Sequence, residues 1–507
     1  MQLERVKNTK INLVFGLLNK TVIIVLPYFI RMVIIQVLGA EYLGLNSLFA
    51  SILQVLNLTE LGFSSAVVQS MYKPIAENDT DKICALLGFY RKIYKIIGII
   101  ITVVGIILIP FLPYLIKGEC PDDLNIYVLY VLYLANTAIS YLMFAYKNSL
   151  LNAFQRTSVI SNISTVVQSI TYVAQIVLLC VWHNYYLYLL MLPLASILNN
   201  ICVSVYVNKH FPQYVCKGTI AKEDMTDIVS KVKGLMVYKL CATTRNSFDS
   251  IFISIFIGLT ATAIYSNYFY VVSAMTTFVG IITNAILAGV GNSLELESVE
   301  KNYNDMEKFD FMYMLISGWI AIVMFCLYQP FVKLSFGEDM LFPTSIAFLF
   351  ALYFYEMRMG DIRATYSDAA GLWWENRYRT IAESITNLIL NFILVQFLGV
   401  YGIIFATLIS LFIFGFSASA HVLFKCYFKN IPVSGYFKNH AIYAIITLGI
   451  GAITYFLCTK VFGNNWMVLI VRGIICCIVP TILYVIVYWK TKRFQDVLHW
   501  GWSVMKK

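Results

Sequence analysis

An all-α polytopic membrane protein with about 14 transmembrane helices is the fold class this sequence predicts. Three observations carry it. First, 60% of the 507 residues are hydrophobic and only 13% are charged, too little polar surface to cover a water-soluble globule. Second, runs such as 96–115, 127–143, 446–461 and 468–489 approach or reach the roughly 20 residues that carry a helix across about 30 Å of hydrocarbon. Third, these runs do not alternate between polar and apolar positions, as the shorter strands of a membrane barrel would.

Splitting the chain at polar or Gly/Pro-bearing breaks gives the elements in order: 11–38, 42–71, 84–115, 125–149, 157–182 and 185–208, then 234–258, 261–292, 308–334, 343–369, 376–398 and 400–425, and finally 438–461 and 466–489. The first apolar stretch lacks a small-residue cleavage site and reads as a retained helix, not a signal peptide. Positive charge orients them, because cytoplasmic loops retain Lys and Arg. The N-terminus holds Arg5, Lys7 and Lys10; alternate loops hold Lys73, Lys82, Arg91, Lys92 and Lys95, then Lys147 and Arg156, Lys209 to Lys233, Arg377 and Arg379, and Lys425 to Lys438. The other loops are minimal or acidic (GAE, KGECPDD, GLT, GVYG, GNN). Both termini are therefore expected in the cytoplasm, with the acidic ELESVEKNYNDMEK as the exception on the positive side. The external loops are too short to hold an extracytoplasmic catalytic domain. No Walker A motif, histidine cluster or placed nucleophile is visible, so enzyme activity is not expected. The eleven cysteines are scattered without CxxC spacing and read as small hydrophobes, with no metal site or disulfide framework.

A faint repeat lies in LGAEYLGLNS (38–47) and IGLTATAIYS (257–266): each places a glycine in a minimal external hairpin, six helices apart, as parallel-repeat transporters do. The expected organisation is an N-terminal six-helix lobe over 1–215, a cytoplasmic linker with an amphipathic helix over 216–233, and a second lobe over 234–430. Helices 13 and 14 follow over 431–490, then an amphipathic tail over 491–507, whose Phe494, Leu498, Trp502 and Met505 fall at helical spacing between basic ends.

Intramembrane charges are the candidate functional residues, since each is costly in lipid and must face a cavity or a partner. Arg245 stands about 16 Å into the seventh helix, near midplane, with Asp249 one turn on. The pair either lines a cavity, where a planar guanidinium suits phosphate, or joins helices as a neutralised pair. Lys20 and Arg31 share a face of the first helix with Pro27 between them, and the alternative for Arg31 is that it snorkels to the interface. The tenth helix, YFYEMRMGDIRATYSDAAG, divides into a stripe of Glu356 and Arg363 and a stripe of Arg358, Asp361 and Asp368, for a gate, a coupling site or an ion network. Glu60 and Glu383, the latter with Asn387 and Asn391 at successive turns, are polar points that serve coupling or packing. Tyr265, Tyr268 and Tyr270 could stack on sugar rings or pack helices.

The stretches LGAEYLGLNSLFASILQVLNLTELGFSSAVVQSMYKPIAENDTDKI, FDSIFISIFIGLTATAIYSNY and FLGVYGIIFATLIS resemble the corresponding parts of bacterial polysaccharide flippases, in the superfamily of the multidrug and toxin extrusion proteins and lipid II flippases. The resemblance implies two six-helix lobes around a central cavity plus a C-terminal helix pair. It also implies alternating-access transport of a polyprenyl-diphosphate-linked oligosaccharide across the bacterial cytoplasmic membrane, for surface polysaccharide of the cell envelope. The expected partners are that substrate, membrane lipids, and a polysaccharide polymerase with glycosyltransferases; nucleic acid is not among them. No cofactor is expected beyond a coupling ion, H+ or Na+. Two other readings stay open: a cation-coupled multidrug antiporter, which would favour acidic cavity residues, and a membrane enzyme acting on polyprenyl-linked sugars.

Overall fold

The computed structural model describes residues 5–57, 63–118, 120–144 and 146–505. All regular structure among them is helical, in nineteen α-helices, two 3-10 helices and one π-helix. Among the described residues nine helices are long and apolar enough to cross a membrane, and α5 (Ile126–Leu142) with α6 (Tyr146–Ala153), bent by 51°, adds a broken span. Each of the fourteen stretches expected from the sequence is occupied by helix, and several are interrupted. The stretch 42–71 divides into α2 (Ala40–Leu56) and α3 (Phe63–Glu77); 343–369 divides at Gly360 into α12 (Thr344–Met359) and α13 (Asp361–Ala369). The twelfth changes hand-over from α15 (Val400–Ser410) through a π-helical stretch, Leu411–Ala418, to α16 (Ser419–Cys426).

The chain forms two compact units, Met1–Ala263 and Ile264–Lys507. In the first, α1 (Arg5–Val37) lies along α7 (Thr157–Trp182), where the Asn19 amide donates to Thr165 Oγ1 at 2.9 Å. The remaining helices of this unit are α4 (Thr80–Leu108), extended by a 3-10 turn to Leu115, α8 (Tyr185–His210) and α9 (Lys222–Phe256). The linker and seventh span expected separately are this one continuous helix α9. It packs on α2 inside the first unit, where the sequence suggested that the second lobe begins at 234. The second unit is built from most of α10 (Leu259–Leu296), α11 (Val299–Phe336), α12, α13, α14 (Arg377–Leu398), α15, the π stretch and α16, with α17 (Ser434–Thr459), α18 (Trp466–Tyr488) and α19 (Lys492–Met505).

Local chemistry sets the boundaries. Side-chain oxygens of Asp79, Asn125, Asn184, Ser298 and Asn465 accept from backbone N–H groups of α4, α5, α8, α11 and α18, satisfying donors that the first turn leaves orphaned. The paired hairpins share one geometry. The Ile34 carbonyl accepts from the N–H of both Leu38 and Gly39, and the Ile253 carbonyl from those of Ile257 and Gly258. Gly39 and Gly258 sit at φ 118° and 133°, a region closed to side chains. A Cβ at Gly44 would run into the Leu259 backbone, so α2 and the start of α10 meet at van der Waals distance where a small residue allows it.

The tail is a helix, α19, with Phe494 buried against Phe311 at 6.5 Å between ring centroids. Arg493 donates to Tyr443 Oη at 2.9 Å and to Glu307 Oε1 at 2.8 Å. The tail is thus fastened to α11 and α17.

Candidate functional site

Within the first unit, Lys20 and Arg31 are both half-buried on α1. Arg31 lies near enough to the Tyr188 hydroxyl of α8 to act on it electrostatically. Asp249 is 3% exposed on α9, among Ser247, Ser250 and Ser254, which are buried too. A carboxylate so placed demands compensation inside the protein. The side chain of Arg245 and the whole of Glu60 lie outside the described residues, so the expected Arg245–Asp249 pairing is neither found nor lost.

The second unit gathers most of the charged residues of α12 to α14 into one network. Arg358 pairs with Asp361 at 2.8 Å, and Asp361 also accepts from the Tyr313 hydroxyl of α11 at 2.6 Å. Arg363, 4% exposed, donates to the carbonyls of Gly415 and Phe416 at 2.6 and 3.0 Å. Both carbonyls belong to the π-helical stretch, and that of Phe416 also accepts from the Ser419 N–H. Arg379 donates to Glu383 Oε2 at 2.8 Å and to the Phe414 carbonyl at 3.2 Å. Two arginines from two helices therefore hold three consecutive carbonyls, Phe414 to Phe416, of the π stretch. Asp368, grouped by spacing with Arg358, instead accepts from Trp373 Nε1 at 3.0 Å. Asn387 donates to Thr407 Oγ1 at 3.1 Å, and Asn391 to Asn387 Oδ1 at 3.3 Å, a polar ladder that joins α14 to α15.

Beside this network a cleft of about 820 Å³ is lined by Tyr355, Glu356, Phe412, Phe416, His421 and His440, among aliphatic side chains. Its walls suit an apolar chain with a few polar points. His440 Nε2 meets Asp310 Oδ2 at 2.7 Å, both residues about 5% exposed. Sequence reading missed this pair: the two stand 130 positions apart, and a lone histidine near a helix start gives no signal of its partner. Tyr265 and Tyr268 are core residues, 3% and 0% exposed. Tyr268 stacks on Tyr328 at 5.1 Å and donates to Gln329 Oε1 at 3.2 Å, so neither presents a ring face to a sugar.

An all-helical array with charges buried in helix-to-helix networks defines a polytopic membrane protein. The chain belongs to the polysaccharide biosynthesis protein family, which matches residues 6–287. Its fold is similar to that of a lipid II flippase, MurJ, in an inward closed conformation: TM-score 0.69 and 15% identity, over 94% of this chain and 99% of that one. It is also similar to an inward-facing multidrug resistance MATE transporter of the MOP superfamily, with TM-score 0.64 and 15% identity over 81% and 95% of the two chains. A Vibrio cholerae MATE transporter shares it at TM-score 0.56 and 14% identity, over 85% and 99%. No curated protein matches the sequence.

Proposed function

We propose that the protein is a flippase that carries a polyprenyl-diphosphate-linked oligosaccharide from the inner to the outer leaflet of the bacterial cytoplasmic membrane, by alternating access, with both termini in the cytoplasm. The observation that carries this reading is the family match through residues 6–287 on a fold shared along 94% of the chain with a lipid II flippase. The basic face of α1, with Lys20 and Arg31, and the basic residue Arg245 on α9 support it, since a diphosphate seeks charge-assisted donors. Asp249 keeps Arg245 oriented. Transport is energised by an H+ or Na+ gradient or by consumption of the product. Polymerase and glycosyltransferases act before and after it.

The test is a pair of variants, in cells whose surface polysaccharide is measured alongside the amount of protein in the membrane. Arg245→Gln abolishes export while the protein accumulates. Adding Asp249→Asn does not restore export, because no neutral pair supplies the missing positive charge. If the two residues served only to neutralise each other, the double variant would recover, since a lone buried charge is worse than none. Recovery would therefore refute the binding role.

A further inference from the structure

Three cysteines far apart in sequence meet in the core of the second unit. Cys326 of α11, Cys458 of α17 and Cys476 of α18 are 4%, 3% and 0% exposed, and their three sulfurs lie within 4.8 Å of one another. The Cys458 and Cys476 sulfurs are 3.6 Å apart. Metal–sulfur bonds of about 2.3 Å, arranged in a trigonal plane, set sulfurs about 4 Å from one another, so a single ion fits at the centre with small side-chain adjustments. We propose that this cluster is a binding site for one Cu(I) ion, which clasps the C-terminal helix pair α17–α18 to α11.

Ligand type, coordination number and charge point to that ion. Soft thiolates select Cu(I), zinc and iron–sulfur clusters over hard cations. Zinc in closed structural sites takes four ligands, and the cluster has three, packed around by Ile322, Ile450 and Tyr484 in the same core. Three donors complete a Cu(I) site and leave zinc one short. Binding releases protons, because sulfur ligates as thiolate. With all three sulfurs ligating as thiolates and their protons passing to water, Cu(I) and its ligands carry a charge of −2.

Arg472 supplies the opposite charge. Its carbonyl accepts from Cys458 Sγ at 3.9 Å, its guanidinium acts electrostatically on Cys458 and donates to the Val461 carbonyl at 2.7 Å. Its buried Nε finds no acceptor among the described residues. Arg472 thus offsets one of the two negative charges from within the core, where burial makes each of them costly. Ordinary packing of small hydrophobes accounts for one buried cysteine at a time; it gives no reason for three helices to aim sulfurs at one point beside an arginine.

The experiment uses the full-length protein, purified anaerobically in detergent, and a version in which the other eight cysteines of the eleven are replaced. Both are titrated with Cu(I) against a chromophoric Cu(I) chelator, and separately with Zn2+. Bound metal is counted by mass spectrometry and thiolate-to-copper charge transfer is followed in the ultraviolet. The expected result is one Cu(I) per chain in both proteins, weaker Zn2+ binding, a raised melting temperature with Cu(I), and loss of all three in Cys476→Ser. Cys477→Ser, next in sequence and exposed, retains them. The proposal is overturned if the three-cysteine protein retains no Cu(I), if it prefers Zn2+, or if the protein from cells already holds a Cys458–Cys476 disulfide. Because the first outcome is read on a protein with the cluster intact, misfolding of the serine variant does not decide it.

Discussion

Replacing Arg363 by alanine tests whether the π stretch is held open from outside. The guanidinium is almost wholly buried, donates to the Gly415 and Phe416 carbonyls at 2.6 and 3.0 Å, and lies 5.8 Å from the centre of the Phe416 ring. Hydrogen bonds that involve a charged group contribute about 1.5–3 kcal/mol each, which sets an upper limit near 6 kcal/mol for the two. Bonds between transmembrane helices average closer to about 0.6 kcal/mol, since the unfolded chain in the bilayer also finds partners. With two carbonyls deprived of the guanidinium donor, the expected loss is about 2–4 kcal/mol, between those limits. It is measured by denaturant unfolding of the protein in mild detergent, with the export assay run alongside. Gly360→Ala should act in the same direction, because the added Cβ would stand 2.8 Å from an Arg363 nitrogen and displace the guanidinium. Arg363→Lys, one compact charge in place of a fork, should recover part of the loss. A loss in Arg363→Ala below about 0.5 kcal/mol, the range of ordinary surface substitutions, would show that the π geometry is held by its own helix, and the reasoning would fail.

Three further outcomes follow from the same contacts. Gly402→Ala drives a methyl into the Leu394 backbone, which cannot yield, whereas Gly280→Ala meets open space; the first should cut the folded yield sharply and the second leave it unchanged, as read by size-exclusion of detergent extracts. His440→Ala leaves the buried Asp310 carboxylate without the ring it meets at 2.7 Å, so it should cost more thermal stability than the double variant with Asp310→Asn; equal losses would show that the pair is not coupled. Burial, and behind it the Glu41 carboxylate, push the Cys120 thiol above its usual value. Since only the thiolate reacts, an impermeant maleimide should label a Cys120-only protein from outside the cell, slowly at neutral pH. The rate should still be climbing near pH 10, where an ordinary thiol of pKa about 8.5 has levelled off. Glu41→Gln should move the plateau to lower pH, and a plateau reached by about pH 10 in the unmodified background would contradict the shift.

The helical membrane class was legible because it follows from one-dimensional quantities. Apolar length decides whether a helix crosses lipid, and the fourteen helical stretches follow from it. The glycines of the two hairpins were legible too, since a turn of that size needs positive φ and Gly39 and Gly258 provide it. Spacing also grouped Arg358 with Asp361, three positions apart on one helix face, and they pair at 2.8 Å. It grouped Arg363 with Glu356 as well, yet the guanidinium of Arg363 turns to the carbonyls of another helix. A helix face limits which neighbours a side chain can reach; it does not say what the facing helix offers.

The sequence by itself determined that this chain is a helical membrane protein with charges that must be compensated inside it, because hydrophobicity and the cost of charge in lipid act on each segment alone. Only the tertiary structure decided where the compensation comes from: the π-stretch carbonyls that hold Arg363 and Arg379, the histidine opposite Asp310, and the convergence of Cys326, Cys458 and Cys476. Each of these joins residues from helices whose order in the chain carries no record of which faces will meet. In a bilayer, where lipid is as apolar as the helices, that choice is made by packing and hydrogen bonding between segments.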